Sequence, residues 1–181
     1  MKAPAHVPAT GGGNPLAAND REDGALRSQI ARIQRLSSTG RDVEVVSLCT
    51  DLVAEFPGHS EPYFYRALSK RSLGDRSGAI ADLTEAIALN AAEPGSLFFR
   101  GRWQIEGGAY AAGISDLREA ILADEALGST YYADSARLSV AVAYFMNKDF
   151  AQSELASAGL SASAGTYLAG RYWTIGDLRR R

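Results

Sequence analysis

The sequence predicts an all-α protein, an α-solenoid of antiparallel helix pairs with about four hairpins and a C-terminal capping helix. The first observation is a repeat: segments 65–87 and 99–121 match position for position at a constant separation, and both contain Asp-Leu-x-Glu-Ala-Ile. The second is that apolar residues recur at helical spacing on either side of Gly74 and Gly108. A period of this length, thirty-four positions, is typical of stacked helical hairpins, in which neighbouring units complete one another's core.

Composition limits the size and the class of the protein. With 181 residues, 46% of them apolar, the chain can bury one ordinary core. The 19 Lys and Arg residues against 21 Asp and Glu give a net charge of −2, which disfavours nucleic acid as a partner. No apolar run reaches the roughly 18 residues that span a bilayer, so membrane insertion is not expected. The N-terminus lacks the apolar core of a signal peptide, which indicates a cytoplasmic protein, or a periplasmic or exported one whose signal peptide has been removed.

The chain divides into a tail and a repeat domain. Residues 1–24 contain Gly11-Gly12-Gly13 and show neither a strand period nor a helix period, so they are predicted to be a disordered tail or linker. Residues 25–181 are predicted to form a helical repeat domain. Its first hairpin spans 25–56, where apolar residues three and four positions apart define two helices around a turn at Gly40.

The second and third hairpins carry the clearest repeat signal. The second spans about 61–90 with Gly74 in its turn, and Pro62 suits the first turn of its first helix, where a missing N–H costs nothing. The third spans about 95–124 and turns at Gly108. A glycine at this position can adopt the left-handed conformation that ends a helix.

The spacing changes after the third hairpin. The next turn position is occupied by Lys148, which lies further from Gly108 than Gly108 lies from Gly74. The difference is six positions. Six inserted residues are therefore predicted, as an extra helical turn or a longer loop around 125–132. A fourth hairpin follows over about 131–159, and the segment 166–175 then predicts one more helix without a partner, in the place where solenoids carry an atypical capping element.

These features together resemble the tetratricopeptide-repeat (TPR) family, most closely over residues 61–124. Part of the resemblance is the turn glycine, and part is a small residue at each place where the two helices of a hairpin cross. Small residues let two helix backbones approach closely. The resemblance implies a protein–protein interaction module that needs no cofactor. The crossing residues are Ala67 and Ala79 in the second hairpin, and Gly101 and Gly113 in the third.

A second regularity predicts ion pairs within the hairpins. Arg66 and Asp82 flank one turn, and Arg100 and Asp116 flank the next with the same separation. Positions so related can face each other in antiparallel helices, so two intra-hairpin ion pairs are expected; the alternative is that each arginine is presented to a carboxylate of a ligand. The fourth hairpin has lost both charges together, with Val140 and Ala156 at the corresponding positions.

The resemblance also implies a binding groove, because TPR proteins usually hold ligands in a concave surface lined by the first helix of each pair. Aromatic and arginine side chains are the types that anchor protein interfaces, and an apolar groove holds an extended segment or an amphipathic helix. The alternative is that the aromatic residues pack between repeats, against the inserted segment or against the N-terminal tail. The implied partner-binding residues are Phe64, Tyr65, Leu68, Arg71, Phe98, Phe99, Arg102 and Ile105. Flanking repeats would add Ile30, Gln34, Leu138, Val142 and Phe145.

The sequence favours a non-catalytic function. The two histidines, His6 and His59, lie in the tail and in a turn, so no catalytic set and no metal site are expected. Cys49 is expected to be a small buried hydrophobic residue. The leading hypothesis is an adaptor or scaffold that binds a peptide or helix of another protein. The alternatives are a secretion-type chaperone that shields an apolar segment of a client, and a module for self-association.

Overall fold

The computed structural model describes residues 15–158, with side chains from 24 to 156. These residues are all-α, as predicted, and antiparallel helices are joined by short turns. We call α1, α3, α5 and α7 the A helices and α2, α4, α6 and α8 the B helices. The helices are α1 (Pro15–Ser38), α2 (Asp42–Glu55), α3 (Ser60–Ser72), α4 (Arg76–Leu89), α5 (Pro94–Glu106), α6 (Tyr110–Ala126), α7 (Ala133–Met146) and α8 (Phe150–Ala158).

The first helix is longer than the sequence pattern indicated. It begins at Pro15, so the part of the predicted tail from 15 to 24 is helical. An apolar period marks only the part of a helix that packs on a neighbour, and that part begins at Leu26. Proline suits the first turn of a helix because its φ is already helical. Residues 1–14 and the predicted capping helix at 166–175 lie outside the described residues.

The turns between the helices of each pair lie where the repeat predicted them. Gly40, Gly74 and Gly108 have φ of 71°, 90° and 84°. Lys148 occupies the fourth turn and also adopts a positive φ, of 62°. This conformation is uncommon for a residue with a Cβ. The fourth turn therefore keeps the geometry of the others without their glycine.

The six-residue insertion is divided between a helix and a loop. Helix α6 has 17 residues where α4 has 14, and a loop leads from its end to α7. Asp124, near the end of α6, fixes this loop: its Oδ2 accepts the backbone N–H of Tyr132 at 2.8 Å and of Ala133 at 2.9 Å. The carboxylate thus satisfies two of the free N–H groups at the start of α7. Its side chain is buried, with 1% of the residue exposed.

Replacing Asp124 by asparagine is expected to lower stability and to change its acid dependence. Burial raises the pKa of Asp124, but hydrogen bonds from Ala133, Ser129 and Tyr132 outweigh it, so the pKa lies below its ordinary value. Stability from this group is therefore complete above the unfolded pKa and is lost as the pH falls through the folded one, below about pH 4. We expect the variant to lose about 1–2 kcal/mol of unfolding free energy at pH 7, as for a lost helix cap. Its stability should then fall less steeply than that of the wild type as the pH is lowered.

Urea unfolding between about pH 2 and pH 7 measures this effect. The matched control is Asp51→Asn, which changes an exposed aspartate of α2 and should alter stability by no more than about 0.5 kcal/mol. An Asp124→Asn protein with the wild-type stability at pH 7 would contradict the assigned role.

Two helix crossings confirm the predicted close approach. Ala67 and Ala79 are fully buried where α3 meets α4. In the next hairpin a Cβ built on Gly101 would lie 2.8 Å from the carbonyl oxygen of Gly113, and one on Gly113 would lie 2.6 Å from the carbonyl oxygen of Gly101. Helices α5 and α6 are therefore close enough that only glycine fits without a shift.

Both predicted intra-hairpin ion pairs are present and bidentate. Arg66 donates to Asp82 at 2.9 and 2.7 Å, and Arg100 donates to Asp116 at 2.7 and 2.8 Å. Lys70 also contacts Asp82, at 2.8 Å. The hydrogen bonds to the carboxylates raise the pKa of both arginines. Since the partners of these two arginines lie within the chain, their role is structural.

The packing of the helices places the A helices on one side of the stack. Helix α1 contacts α3 and α5 contacts α7, so successive A helices approach one another in addition to pairing with their B helices. Cys49 is fully buried on α2, as predicted. Its burial, partly offset by Arg66, raises the thiol pKa to about 12. Among the described helices, none has the length and apolar character needed to cross a bilayer.

Candidate interaction surface

Aromatic side chains contact one another in a continuous series across α3, α5 and the loop before α7, and we call this series the aromatic row. Phe64 and Phe99 join α3 to α5 with ring centroids 6.0 Å apart, and Phe98 meets Tyr132 at 5.1 Å. Ring pairs at such distances are each worth about 0.5–1.5 kcal/mol beyond their buried area. The row consists of Tyr65, Phe64, Phe99, Trp103, Phe98, Tyr132 and Tyr131.

Some rings of the aromatic row are buried, and others are accessible to solvent. Phe98 and Trp103 are buried, with 5% and 6% of each residue exposed. Phe64 and Phe99 are half-buried, and Tyr131 at the end of the row is 79% exposed. The buried rings hold the accessible ones in place. The half-buried rings of the row are therefore packed on neighbours within the chain before any partner binds.

The structure brings four of the predicted groove residues together in the row, but Phe98 is not part of the accessible lining. Tyr132 packs on its ring, and the guanidinium of Arg102 lies over it with Cζ 5.4 Å from the centroid. The inserted loop thus carries Tyr132 onto a ring that was predicted to line the groove. The alternative of packing against the inserted segment holds for Phe98.

Two other predicted residues differ in placement. Leu68 packs against the same buried cluster, which includes Trp103, as Phe64 and Phe99 do. Ile105 instead lies between α5 and α6, where a Cβ on Gly113 would come within 2.6 Å of its Cγ1. It is half-buried there, so its role as a groove residue stays a prediction.

Arginine side chains border the row. Arg71 lies over Trp103 with Cζ 6.0 Å from the ring centroid, and it contacts Glu106 at 2.7 Å. Arg76 reaches the same Glu106 carboxylate at 3.3 Å. Two guanidinium groups thus share one carboxylate. Arg102 has no carboxylate partner among residues 24–156, so the border carries an excess of positive charge.

Of the residues predicted to extend the groove from the flanking repeats, one makes a hydrogen bond to the row. Gln34 of α1 donates to the hydroxyl of Tyr65 at 2.7 Å and so contacts the row. Ile30 and Leu138 are buried. Phe145 lies against Phe150 of the fourth hairpin, with centroids 5.5 Å apart, and Val142 is half-buried.

Sequence reasoning missed the two tyrosines that complete the row. Tyr131 and Tyr132 stand T-shaped with centroids 4.8 Å apart, just before α7. Burial raises the pKa of Tyr132 to about 12, so its hydroxyl stays neutral. The available signal was a pair of adjacent aromatic residues in an inserted loop, where no repeat position accounts for them. Within the described residues, no group of three His, Cys, Asp or Glu side chains is placed to hold a metal ion.

The arrangement of hairpins, turn residues and close crossings defines a TPR-like α-solenoid fold. No protein-family model and no curated protein matches the chain in sequence. The fold is similar to that of solved TPR structures. MamA matches with 13% identity and a TM-score of 0.67 over 86% of this chain and 81% of that one.

Two further solved structures support the same fold. The type III secretion translocator chaperone SycD of Yersinia enterocolitica matches with 13% identity and a TM-score of 0.67, over 77% of this chain and 97% of that one. The O-GlcNAc transferase of Thermobaculum terrenum matches with 19% identity and a TM-score of 0.60. That match covers 68% of this chain and only 23% of the transferase. At these identities the similarity establishes the fold.

Proposed function

We propose that the chain is a non-catalytic protein-interaction module, an adaptor or scaffold, that binds a peptide or helix of a partner protein along its A helices. The aromatic row carries this proposal, because it runs across successive repeats and ends on the exposed ring of Tyr131. Aromatic and arginine side chains dominate the binding energy of protein interfaces. A surface whose rings are already packed loses little side-chain entropy on binding.

The apolar character of the row indicates the apolar side of the partner segment. Phe64, Phe99 and Tyr131 offer ring surface from α3, α5 and the loop before α7. An amphipathic helix with apolar residues at positions i, i+3, i+4 and i+7 would place its apolar face on such a surface. An extended segment with apolar residues at alternate positions would make the same kind of contact. The partner is thus a polypeptide rather than a small polar metabolite.

The arginine border indicates the charge of the partner. Arg71 and Arg76 share Glu106, and Arg102 has no carboxylate partner in the described part of the chain. A segment with Asp or Glu beside its apolar residues complements this border, although the whole chain has a net charge of −2. Because the arginines are partly exposed, we expect binding to weaken as salt is added.

Replacing Tyr131 by alanine is expected to weaken binding with little change in stability. The ring is 79% exposed, so its loss costs the fold little, whereas losing an aromatic anchor of an interface costs tenfold or more in affinity, about 1.4 kcal/mol. Peptides selected from a displayed random library on the wild-type chain serve as probes. Fluorescence anisotropy gives their Kd, and urea unfolding gives the stability of each variant.

The matched control is Leu122→Ala, which removes a similarly exposed apolar side chain, 66% exposed, from a B helix. We expect it to leave the Kd unchanged. Hydrogen exchange should show protection by the peptide at α3, α5 and the loop before α7. Equal affinities for wild type and Tyr131→Ala, or protection confined to the B helices, would contradict the proposal.

A secretion-type chaperone is the second candidate, supported by the similarity in fold to SycD over 97% of that chain. A chaperone that shields an apolar segment would use the same row. The two candidates differ in their complexes: a chaperone should purify from its native source with one client at a fixed ratio, whereas an adaptor binds short peptides reversibly. Self-association is the third hypothesis, and a concentration-independent monomer in light scattering would remove it.

A further inference from the structure

The bidentate ion pairs have a third member that recurs with the repeat. Arg66 also contacts the hydroxyl of Thr50, at 3.5 Å, and Arg100 contacts that of Thr84, at 3.3 Å. Each guanidinium thus lies between a threonine of the preceding B helix and an aspartate of the B helix in its own hairpin. These threonine, arginine and aspartate side chains fill the space where a B helix meets the following hairpin.

All three positions change together at the next interface. Arg118 stands one repeat period after Thr84, in the place of the threonine. Val140 and Ala156 stand in the places of Arg100 and Asp116, at one period plus the six-residue insertion. The guanidinium has therefore moved from the A helix to the preceding B helix. The carboxylate that would pair with it has been replaced by a methyl group.

A cavity occupies this place. It has a volume of about 280 Å³ and opens between α6, α7 and α8. Volume is available because valine and alanine are smaller than the arginine and aspartate that fill the preceding interface. Its walls are mostly apolar, and its polar groups include the guanidinium groups of Arg118 and Arg137 and the amide of Gln152. The lining includes Arg118, Ile121, Val140, Tyr144, Leu155 and Ala156.

The charge in the cavity is not balanced by the described residues. Arg118 donates to the hydroxyl of Tyr144 at 2.9 Å and has no carboxylate partner among residues 24–156. The second arginine of the lining, Arg137, is already paired with Asp134 at 3.0 Å and with Glu125. The remaining N–H groups of Arg118 are therefore available to an acceptor from outside.

We propose that this cavity binds a carboxylate joined to a short aliphatic group, with the carboxylate on Arg118 as Asp116 is on Arg100. The aliphatic group would lie against Val140, Ile121 and Leu155. The volume is just below the range of about 300–1,000 Å³ typical of small-molecule sites, so the group is small. The carboxylate belongs either to a free acid or to a glutamate side chain of a peptide. This site is separate from the aromatic row and does not depend on the function proposed for it.

Methyl NMR of the full chain tests the proposal with 4-methylpentanoate as the probe. We expect shifts of the Ile121 and Leu155 methyls, and an affinity about tenfold or more higher than that of 4-methylpentanamide, which lacks the charge. A short peptide with one central glutamate, compared with its glutamine version, forms the second arm. Binding of the acid alone identifies a metabolite site, and binding of the peptide alone identifies a contact for a polypeptide. If neither binds, or if acid and amide bind equally, the proposal is wrong.

Substitutions locate the site. Arg118→Gln should lower the affinity about tenfold or more, whereas Arg32→Gln, on an exposed face of α1, should leave it unchanged. Ala156→Asp should supply an internal carboxylate to Arg118, abolish binding of the acid and keep or raise the thermal midpoint. An Ala156→Asp protein that unfolds cooperatively and still binds the acid with wild-type affinity would overturn the assignment.

Discussion

Replacing Asp116 by alanine is expected to lower the free energy of unfolding by about 3–5 kcal/mol, because it leaves the guanidinium of Arg100 without its carboxylate in a mostly buried site. Both hydrogen bonds of the bidentate pair, at 2.7 and 2.8 Å, would be lost at once. Urea unfolding followed by circular dichroism measures the change. The matched control is Glu85→Ala, which removes an exposed carboxylate from α4 and should cost no more than about 0.5 kcal/mol.

A double variant separates the loss of a pair from the cost of one unpaired charge. Arg100→Val combined with Asp116→Ala reproduces the residues of the fourth hairpin, Val140 and Ala156. Since no charge is then left unpaired, the double variant should be more stable than Asp116→Ala alone. A double variant whose loss equals or exceeds the sum of the two single losses would show that the pair contributes in another way.

Replacing Gly113 by alanine is expected to lower the free energy of unfolding by about 1–3 kcal/mol, although alanine has the higher helix propensity. The new Cβ would lie 2.6 Å from the carbonyl oxygen of Gly101 and 2.6 Å from Cγ1 of Ile105. Backbone cannot retreat as a flexible side chain does, so α5 and α6 must separate. The free energy of unfolding from urea titration measures the cost.

The control for this glycine is Gly24→Ala in α1, where a Cβ would meet nothing within 4 Å. There the same change should raise stability by about 0.5–1 kcal/mol, since only the backbone propensity acts. Opposite signs for the two substitutions are the expected outcome. A Gly113→Ala protein as stable as wild type would show that the hairpin opens at little cost, as its neighbour does around Ala67 and Ala79.

Much of the candidate surface could be predicted from the sequence, and part of it could not. The repeat placed Phe64 and Phe99 on A helices, where the structure has them. It also assigned Phe98 to the lining of the groove, although Tyr132 packs on its ring. The covering residue comes from a loop whose path depends on the buried carboxylate of Asp124. No periodic pattern reports such a contact, because its partners are brought together only when α6 and α7 pack.

The sequence by itself determined the helical pairs, their turns and the two ion pairs, because each depends on residues at most one hairpin apart and the repeat period reproduces them. Only the tertiary structure decided which aromatic rings are accessible and where the inserted loop lies. It also decided that the loss of Arg and Asp in the fourth hairpin leaves a cavity beside Arg118. The physical reason is that accessibility and empty volume are properties of the space between helices, to which several non-periodic side chains contribute at once.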